Sequence, residues 1–237
     1  MTKNKNDLIF ILGSPKSGTT LLQSLFNGHS QLFVMPLELC FFQHKGLPSI
    51  IYQHKRFQTI KDYSIIKDIE NLKQKIITHK EFQNFFDDEK ETPRGISSQG
   101  FNKDIFYSYI NNKNFNSEAQ LLYGIILGMA KACNFIHDDN LSQLKFIEKT
   151  PLQEEFASHL KNYFPNGKFI HILRNPYALF CSLRKRFENL TGRYPDLEQR
   201  VINIMKTSYY FMEKNRKLFD NYSIIKYEDI LKILPKL

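Results

Sequence analysis

The chain alternates between short, unbroken apolar runs and longer stretches in which apolar residues recur every three or four positions. Leu8-Ile9-Phe10-Ile11-Leu12 is the first run, and its length and abrupt end at Gly13 predict a buried strand. Thr20 to Phe26 then places Leu21, Leu22 and Leu25 on one helical face, with Gly28 as its C-terminal stop. Leu32 to Met35 predicts a second strand, closed at once by Pro36-Leu37-Glu38. From about Gly46 to Asn116 the pattern loosens into helical stretches such as Lys67 to His79, separated by polar loops and the breaker cluster Thr92-Pro93-Arg94-Gly95. This reads as a helical insertion. Ser117 predicts the N-cap of a buried helix running to about Asn134, with Leu121, Leu122, Ile125, Ile126 and Met129 facing inward.

The second half repeats the strand-to-helix step. Phe146 to Glu148 predicts a strand that exits at Lys149-Thr150, and Pro151 takes the favoured first position of the next helix, which ends before Pro165-Asn166-Gly167. Lys168 to Leu173 predicts a fully buried strand, turned by Arg174-Asn175-Pro176 into a helix carrying Ser182. A long helix from about Asp196 to Phe219 precedes the last strand, Ser223 to Lys226, and Tyr227-Glu228-Asp229 opens a short helix cut off by Pro235. Strands alternating with helices predict the α/β class, a parallel sheet flanked by helices, with residues 1–237 forming one domain. In such a sheet the C-terminal strand ends share one edge, where ligands bind. Glu38, Lys149, Arg174 and the loop after Leu12 are therefore predicted to converge.

That loop, Gly13-Ser14-Pro15-Lys16-Ser17-Gly18-Thr19-Thr20, has the character of a phosphate cradle. A Gly-rich turn between strand and helix lets successive backbone N–H groups point at one anion, and the helix N-terminus adds partial positive charge. In the ATP- and GTP-binding loop the lysine follows the second glycine; here Thr19 holds that place and Lys16 lies inside the loop. Ser182 follows Arg174 by eight residues, about two helical turns. An arginine at a strand exit and a serine hydroxyl on the following helix suit a second phosphate, distant from the first. The predicted ligand is thus a nucleotide with two separated anionic groups.

Composition narrows the partners. The 237 residues are 42% apolar and 24% charged, which calls for no disordered, collagenous or disulfide-scaffold class. The core is aromatic, with 21 Phe and 12 Tyr but no Trp. A net charge of +9 suits a polyanionic ligand, although a general abundance of Lys, Asn and Ile would give the same balance. The basic residues form no dense tract, so no nucleic-acid partner is predicted. Cys40, Cys133 and Cys181 sit among apolar neighbours and read as small buried hydrophobes in a reducing compartment. No signal peptide is recognised, and the run Leu121 to Ala130 is far short of the ~20 residues of a membrane-spanning helix. The expectation is a soluble, cytoplasmic protein without a membrane span.

With these residues in place, the sequence resembles the sulfotransferases that use 3'-phosphoadenosine-5'-phosphosulfate. The loop at residues 13–20 looks like their 5'-phosphosulfate loop, with Pro15, Lys16, Ser17, Gly18, Thr19 and Thr20 as its binding residues. Phe169 through Arg174 to Ser182 looks like their 3'-phosphate motif, to which Arg186 is added by its spacing. Glu148-Lys149-Thr150-Pro151 and Tyr227-Glu228-Asp229 are further family-like blocks in the same order, and Tyr227 is expected close to the nucleotide. The resemblance implies a P-loop-containing nucleotide-binding fold, a nucleotide donor, a hydroxyl-bearing acceptor and no metal. The cytosolic small-molecule enzymes carry a histidine base after a Lys-Thr pair, where this chain has Pro151. Enzymes of the Golgi type and their bacterial relatives, acting on carbohydrates or protein tyrosines, use a glutamate shortly after the cradle helix. By that resemblance Glu38 is the expected base, and Lys16 and Lys149 stabilise the leaving side. Family members usually continue well past the Tyr-Glu-Asp block, so the C-terminus is expected to be short.

Each residue also has a plainer reading. Glu38 would suit a helix N-terminus, Lys149 a surface, and Arg174 a strand-end ion pair with Glu148 or Asp229. His171 reads as a hydrogen-bonded core histidine, Tyr227 as a buried tyrosine, and Glu228 and Asp229 as helix-capping residues. Residues 182–186 would also suit a solvated basic face. At the level of function the alternatives are a kinase using ATP and magnesium, and a nucleotide-binding protein without catalysis.

Overall fold

The computed structural model describes residues 8–42, 68–87, 100–136, 143–192 and 195–233. Strand β1 (Leu8–Leu12) lies between β3 (Lys145–Lys149) and β4 (Lys168–Leu173), and pairs in parallel with both. The unbroken apolar run of β1 follows from that place: Phe10, Ile11 and Leu12 are covered on both faces. Strand β2 (Leu32–Val34) joins β3, and β5 (Tyr222–Lys226) joins β4, completing a parallel sheet in the order β2-β3-β1-β4-β5. Register aligns Ile11 with Lys149 and Leu12 with His171, so the exits of the three central strands reach the same edge.

Helices cover the sheet: α1 (Thr19–Phe26) follows β1, and α2 (Ile69–Ile77), α3 (Lys80–Asp87) and α4 (Lys103–Asn111) lie between β2 and α5 (Glu118–Ala132) in the sequence. After β3 come a 3₁₀ turn (Gln153–Phe156) and α6 (Ala157–Tyr163); α7 (Pro176–Thr191) follows β4, α8 (Leu197–Leu218) precedes β5, and α9 (Tyr227–Ile233) follows it. The Thr92-Pro93-Arg94-Gly95 cluster lies outside the described residues.

The core is built largely from aromatic rings. Phe10 stacks on Phe169 with centroids 5.5 Å apart, and Phe42 on Phe156 at 4.4 Å. Helix α5 is capped by Ser117, whose side chain accepts from the Gln120 N–H, and buries Leu121, Leu122, Ile125, Ile126 and Met129 completely. Each such side chain contributes roughly 1.5–3 kcal/mol of hydrophobic stabilisation. A second cluster locks α7 to α8 through Leu179, Leu183 and Phe187 against Leu197, Val201 and Ile204. Among the described residues, no helix is long and apolar enough to cross a membrane.

Several local expectations are corrected. Helix α1 buries Thr19, Leu22 and Gln23, while Leu25 is 41% exposed. The helix is rotated because Gln23 Nε2 donates to the Met35 carbonyl at 2.7 Å, satisfying a buried acceptor that a leucine would leave bare. Strand β2 stops at Val34, although the Met35 N–H still bonds the Ile147 carbonyl. Pro151 does not open a helix: Leu152 takes a left-handed conformation (φ 65°) and starts the 3₁₀ turn instead. Cys181 is exposed and Cys40 and Cys133 are half-buried, so none is fully buried, although Cys133 packs against the main core. Cys181 falls between the buried positions 179 and 183 of α7, on the opposite side of the helix.

Candidate active site

The loop between β1 and α1 is shaped by its backbone. Gly13 (φ 139°) and Gly18 (φ 107°) take conformations open to glycine, and a Cβ on Gly18 would lie 2.3 Å from the Tyr227 ring. Lys16 is also left-handed (φ 68°) and its side chain is exposed. The Ser17 N–H bonds the Ser14 carbonyl at 3.1 Å, closing the turn. Ser17 Oγ is buried and has no hydrogen-bond partner among the described residues. Thr19 is buried, and Pro15 in the loop and Thr20 in the first turn of α1 are half-buried.

Lys149, the last residue of β3, is 1% exposed, which excludes the surface reading. Its Nζ pairs with Glu38 Oε1 and lies 3.3 Å from Thr20 Oγ1. The strand exits thus bring an acid, a lysine and the cradle helix's first turn together. Residues 36–42 form bends and turns, so no described helix N-terminus accounts for Glu38. Its backbone is fixed from below: Thr150 Oγ1 accepts the Cys40 N–H at 3.2 Å and donates to Glu148 Oε1 at 2.6 Å. Cys40 itself is left-handed (φ 47°). Burial pushes the Glu148 carboxyl up to about 7, with the Glu38 charge adding to the rise and Thr150 and Lys149 opposing it.

Arg174, at the exit of β4, donates to the Lys16 carbonyl at 2.7 Å and stacks its guanidinium on the Tyr227 ring, 4.7 Å from the centroid. It makes no ion pair with Glu148 or Asp229 among the described residues, and Asp229 pairs with Lys232 at 2.7 Å. Arg174 Nε is buried without a hydrogen-bond partner among the described residues. Glu228 reaches across to accept the Asn175 N–H at 2.8 Å, tying α9 to the turn where Asn175 caps α7. Tyr227 is half-buried, and its ring lies against both Gly18 and the Arg174 guanidinium. Ser182 is half-buried and Arg186 exposed, both on α7. Among the described residues, Arg174 bonds the Lys16 carbonyl and stacks on Tyr227 rather than reaching either of them. His171 is buried and hydrogen-bonded to the Tyr222 hydroxyl at 2.8 Å, and burial holds it neutral by pushing its pKa down to about 3.

Two unpartnered polar groups, Ser17 Oγ in the cradle and Arg174 Nε at the next strand exit, face the requirement that buried donors find acceptors.

The sequence model of the sulfotransferase family matches residues 7–234. This chain belongs to that family. Comparison with curated protein sequences finds no match. Among solved structures, the sulfotransferase domain from the curacin biosynthetic pathway is similar with a TM-score of 0.55 and 22% identity, covering 99% of this chain and 71% of that one. Sulfotransferase STF9 from Mycobacterium avium is similar with a TM-score of 0.50 and 13% identity, covering 98% of this chain and 61% of that one. Those likenesses show a common fold.

Among the buried acids of this sulfotransferase, the sequence singles out Glu148 only within a family-like block and as a partner for Arg174, and does not single out Glu154. Glu154 is buried, accepts the Gly13 N–H at 3.2 Å on Oε2, and accepts the Ser208 hydroxyl on Oε1. Its neighbours in sequence, Gln153 and Glu155, are equally polar and also buried, so a run of three polar residues gives no apolar periodicity that would mark it as interior.

Proposed function

We propose that this sulfotransferase moves a sulfuryl group from 3'-phosphoadenosine-5'-phosphosulfate to a hydroxyl of a carbohydrate, small metabolite or protein tyrosine. The observation that carries the reading is the Glu38–Lys149 pair set beside Thr20 of the cradle. The bound donor would supply the sulfuryl group and an anionic leaving group. Pro15, Lys16, Ser17, Gly18, Thr19 and Thr20 would hold its 5' end through backbone N–H groups, the free Ser17 hydroxyl and the Lys16 charge. Arg174, Ser182 and Arg186 would hold its 3'-phosphate through charge-assisted hydrogen bonds.

Glu38 acts as the base that accepts the proton of the acceptor hydroxyl, held in place by Lys149 and by the anchored Cys40 backbone. Lys149 and Lys16 place positive charge where negative charge grows on the leaving side. Pro151 follows Thr150 where the cytosolic small-molecule enzymes have their histidine, which supports the glutamate-based type.

Isothermal titration tests the reading. Adenosine 3',5'-bisphosphate is expected to bind without added metal, and Glu38→Gln is expected to bind it as well as the wild type while losing turnover with the intact donor. Binding of ATP with magnesium in preference to the bisphosphate would identify a kinase instead. Donor binding with no Glu38-dependent turnover over a broad panel of hydroxyl acceptors would leave a nucleotide-binding protein.

A further inference from the structure

The backbone of Gly13 is gripped from beneath the cradle. Its N–H donates to Glu154 Oε2 at 3.2 Å, and its carbonyl accepts the Leu152 N–H at 3.0 Å. Glu154 is in turn fixed by α8: the Ser208 hydroxyl donates to Oε1, and Asn215 Nδ2, two turns further along, donates to the Glu154 carbonyl at 2.6 Å. One buried side chain therefore joins the first residue of the cradle to the longest described helix.

The groups facing Glu154 are neutral. From the loop comes the Gly13 amide and from α8 come Ser208 and Asn215. From β5 comes Tyr222, whose hydroxyl meets His171 of β4; burial, with the Glu154 charge added, pushes the Tyr222 hydroxyl far up, and burial pushes His171 down to about 3. Burial pushes Glu154 itself up to about 7. The carboxyl group thus exchanges its proton near neutrality, among partners that do not.

We infer that Glu154 is a positioning residue of the cradle and that its carboxyl group takes up a proton when an anion occupies the loop. This rests on the donor-binding reading above. An ionised carboxylate beneath an anion site opposes the incoming charge, and the low dielectric of a buried site strengthens that opposition. The network accepts the proton without releasing Gly13. A proton on Oε1 donates to Ser208 Oγ, which changes from donor to acceptor, while Oε2 keeps the Gly13 N–H. A purely structural glutamate would hold the loop with no link between proton and anion.

The test uses the full chain labelled with ¹⁵N-glycine, so that the Gly13 amide is read directly. In nucleotide-free protein its resonance is expected to titrate with a midpoint at about 7, and saturation with adenosine 3',5'-bisphosphate is expected to raise that midpoint by about one unit or more. Glu154→Gln abolishes the titration, and Glu148→Gln keeps it. Calorimetry in buffers of different ionisation enthalpy should show less proton uptake on nucleotide binding by Glu154→Gln than by the wild type; the nucleotide's own phosphates titrate in both and cancel in the difference. Ser208→Ala, which touches neither Gly13 nor the loop, should raise the nucleotide-free midpoint because it removes a donor that favours the carboxylate; it carries the test alone where Glu154→Gln fails to fold. A Gly13 amide that does not titrate, a midpoint unmoved by saturating nucleotide, or equal proton uptake in wild type and Glu154→Gln overturns the inference. Wild-type protein whose Gly13 amide titrates but which binds no bisphosphate overturns the functional reading, and the proposed coupling with it.

Discussion

At the scale of single residues, the site depends on a few side chains whose positions are over-determined. Glu38 is held by the buried Lys149 ammonium and, through Cys40 and Thr150, by Glu148. Losing a positioned general base typically costs about 10²–10⁴-fold in rate, and Glu38→Gln should show a fall of that size in steady-state turnover. Arg174 serves twice, as a donor to the Lys16 carbonyl and as a cation on the Tyr227 ring. A hydrogen bond to a charged group contributes roughly 1.5–3 kcal/mol, so Arg174→Ala should weaken bisphosphate binding by about ten- to a hundredfold in calorimetry. Strong loss of nucleotide binding in Glu38→Gln with little in Arg174→Ala would reverse the assigned roles. Most of these residues were legible in the sequence because strand exits are marked by where an apolar run stops: Leu12, Met35 and Leu173 each end one. Glu148 and Glu154 were not, since a buried acid and a solvated one look alike until the groups that share their protons are placed around them.

At the scale of elements, the strand-to-helix loop and α9 are built against each other. Tyr227 begins α9 and lies flat where Gly18 offers no side chain. Gly18→Ala would force a Cβ to within 2.3 Å of that ring in a conformation that L residues rarely adopt. The expected cost is about 1–3 kcal/mol, read as a lower denaturation midpoint, and Tyr227→Ala should recover part of it in a double-mutant cycle. Additive losses would mean that ring and glycine do not meet. Elements were read correctly where one face repeats, as in α5, whose inward positions from Leu121 to Met129 carry Leu121, Leu122, Ile125, Ile126 and Met129. The reading failed where a polar contact decided the rotation or the start of an element. Gln23 turned α1 toward the Met35 carbonyl, and the clamp on Gly13 by Leu152 and Glu154 replaced the helix expected at Pro151.

For the molecule as a whole, the dependence of stability on pH between about 4.5 and 7 is shaped, among the described residues, by the buried Glu148, Glu154 and His171. Glu148 and Glu154 are raised from 4.5 to about 7, so between those values the folded protein holds two protons that the unfolded chain has released. Stability then falls as pH rises through that window and levels off above it. His171, lowered from 6.5 to about 3, acts in the opposite sense, adding stability as pH rises to about 6.5. Two groups outweigh one, and the net contribution declines from about pH 4.5 to about 7, by on the order of 1.4 kcal/mol per unit while all three titrate. Urea unfolding at either end of that window should show the loss, and Glu148→Gln should flatten it; a wild-type midpoint that rises across the window would contradict these assignments. One of the sheet's two outer strands carries a different consequence. Among the described residues strand β5 pairs with β4 alone and leaves Ser223, Ile224 and Lys226 exposed, while β1 is enclosed by two neighbours. Local opening takes the least protected backbone first. Because α9 continues from β5 without a linker, the amide protons of β5 and of Tyr227 should trade with deuterium together and well ahead of those in β1, so that the clasp over Gly18 comes undone while the centre of the sheet is still closed.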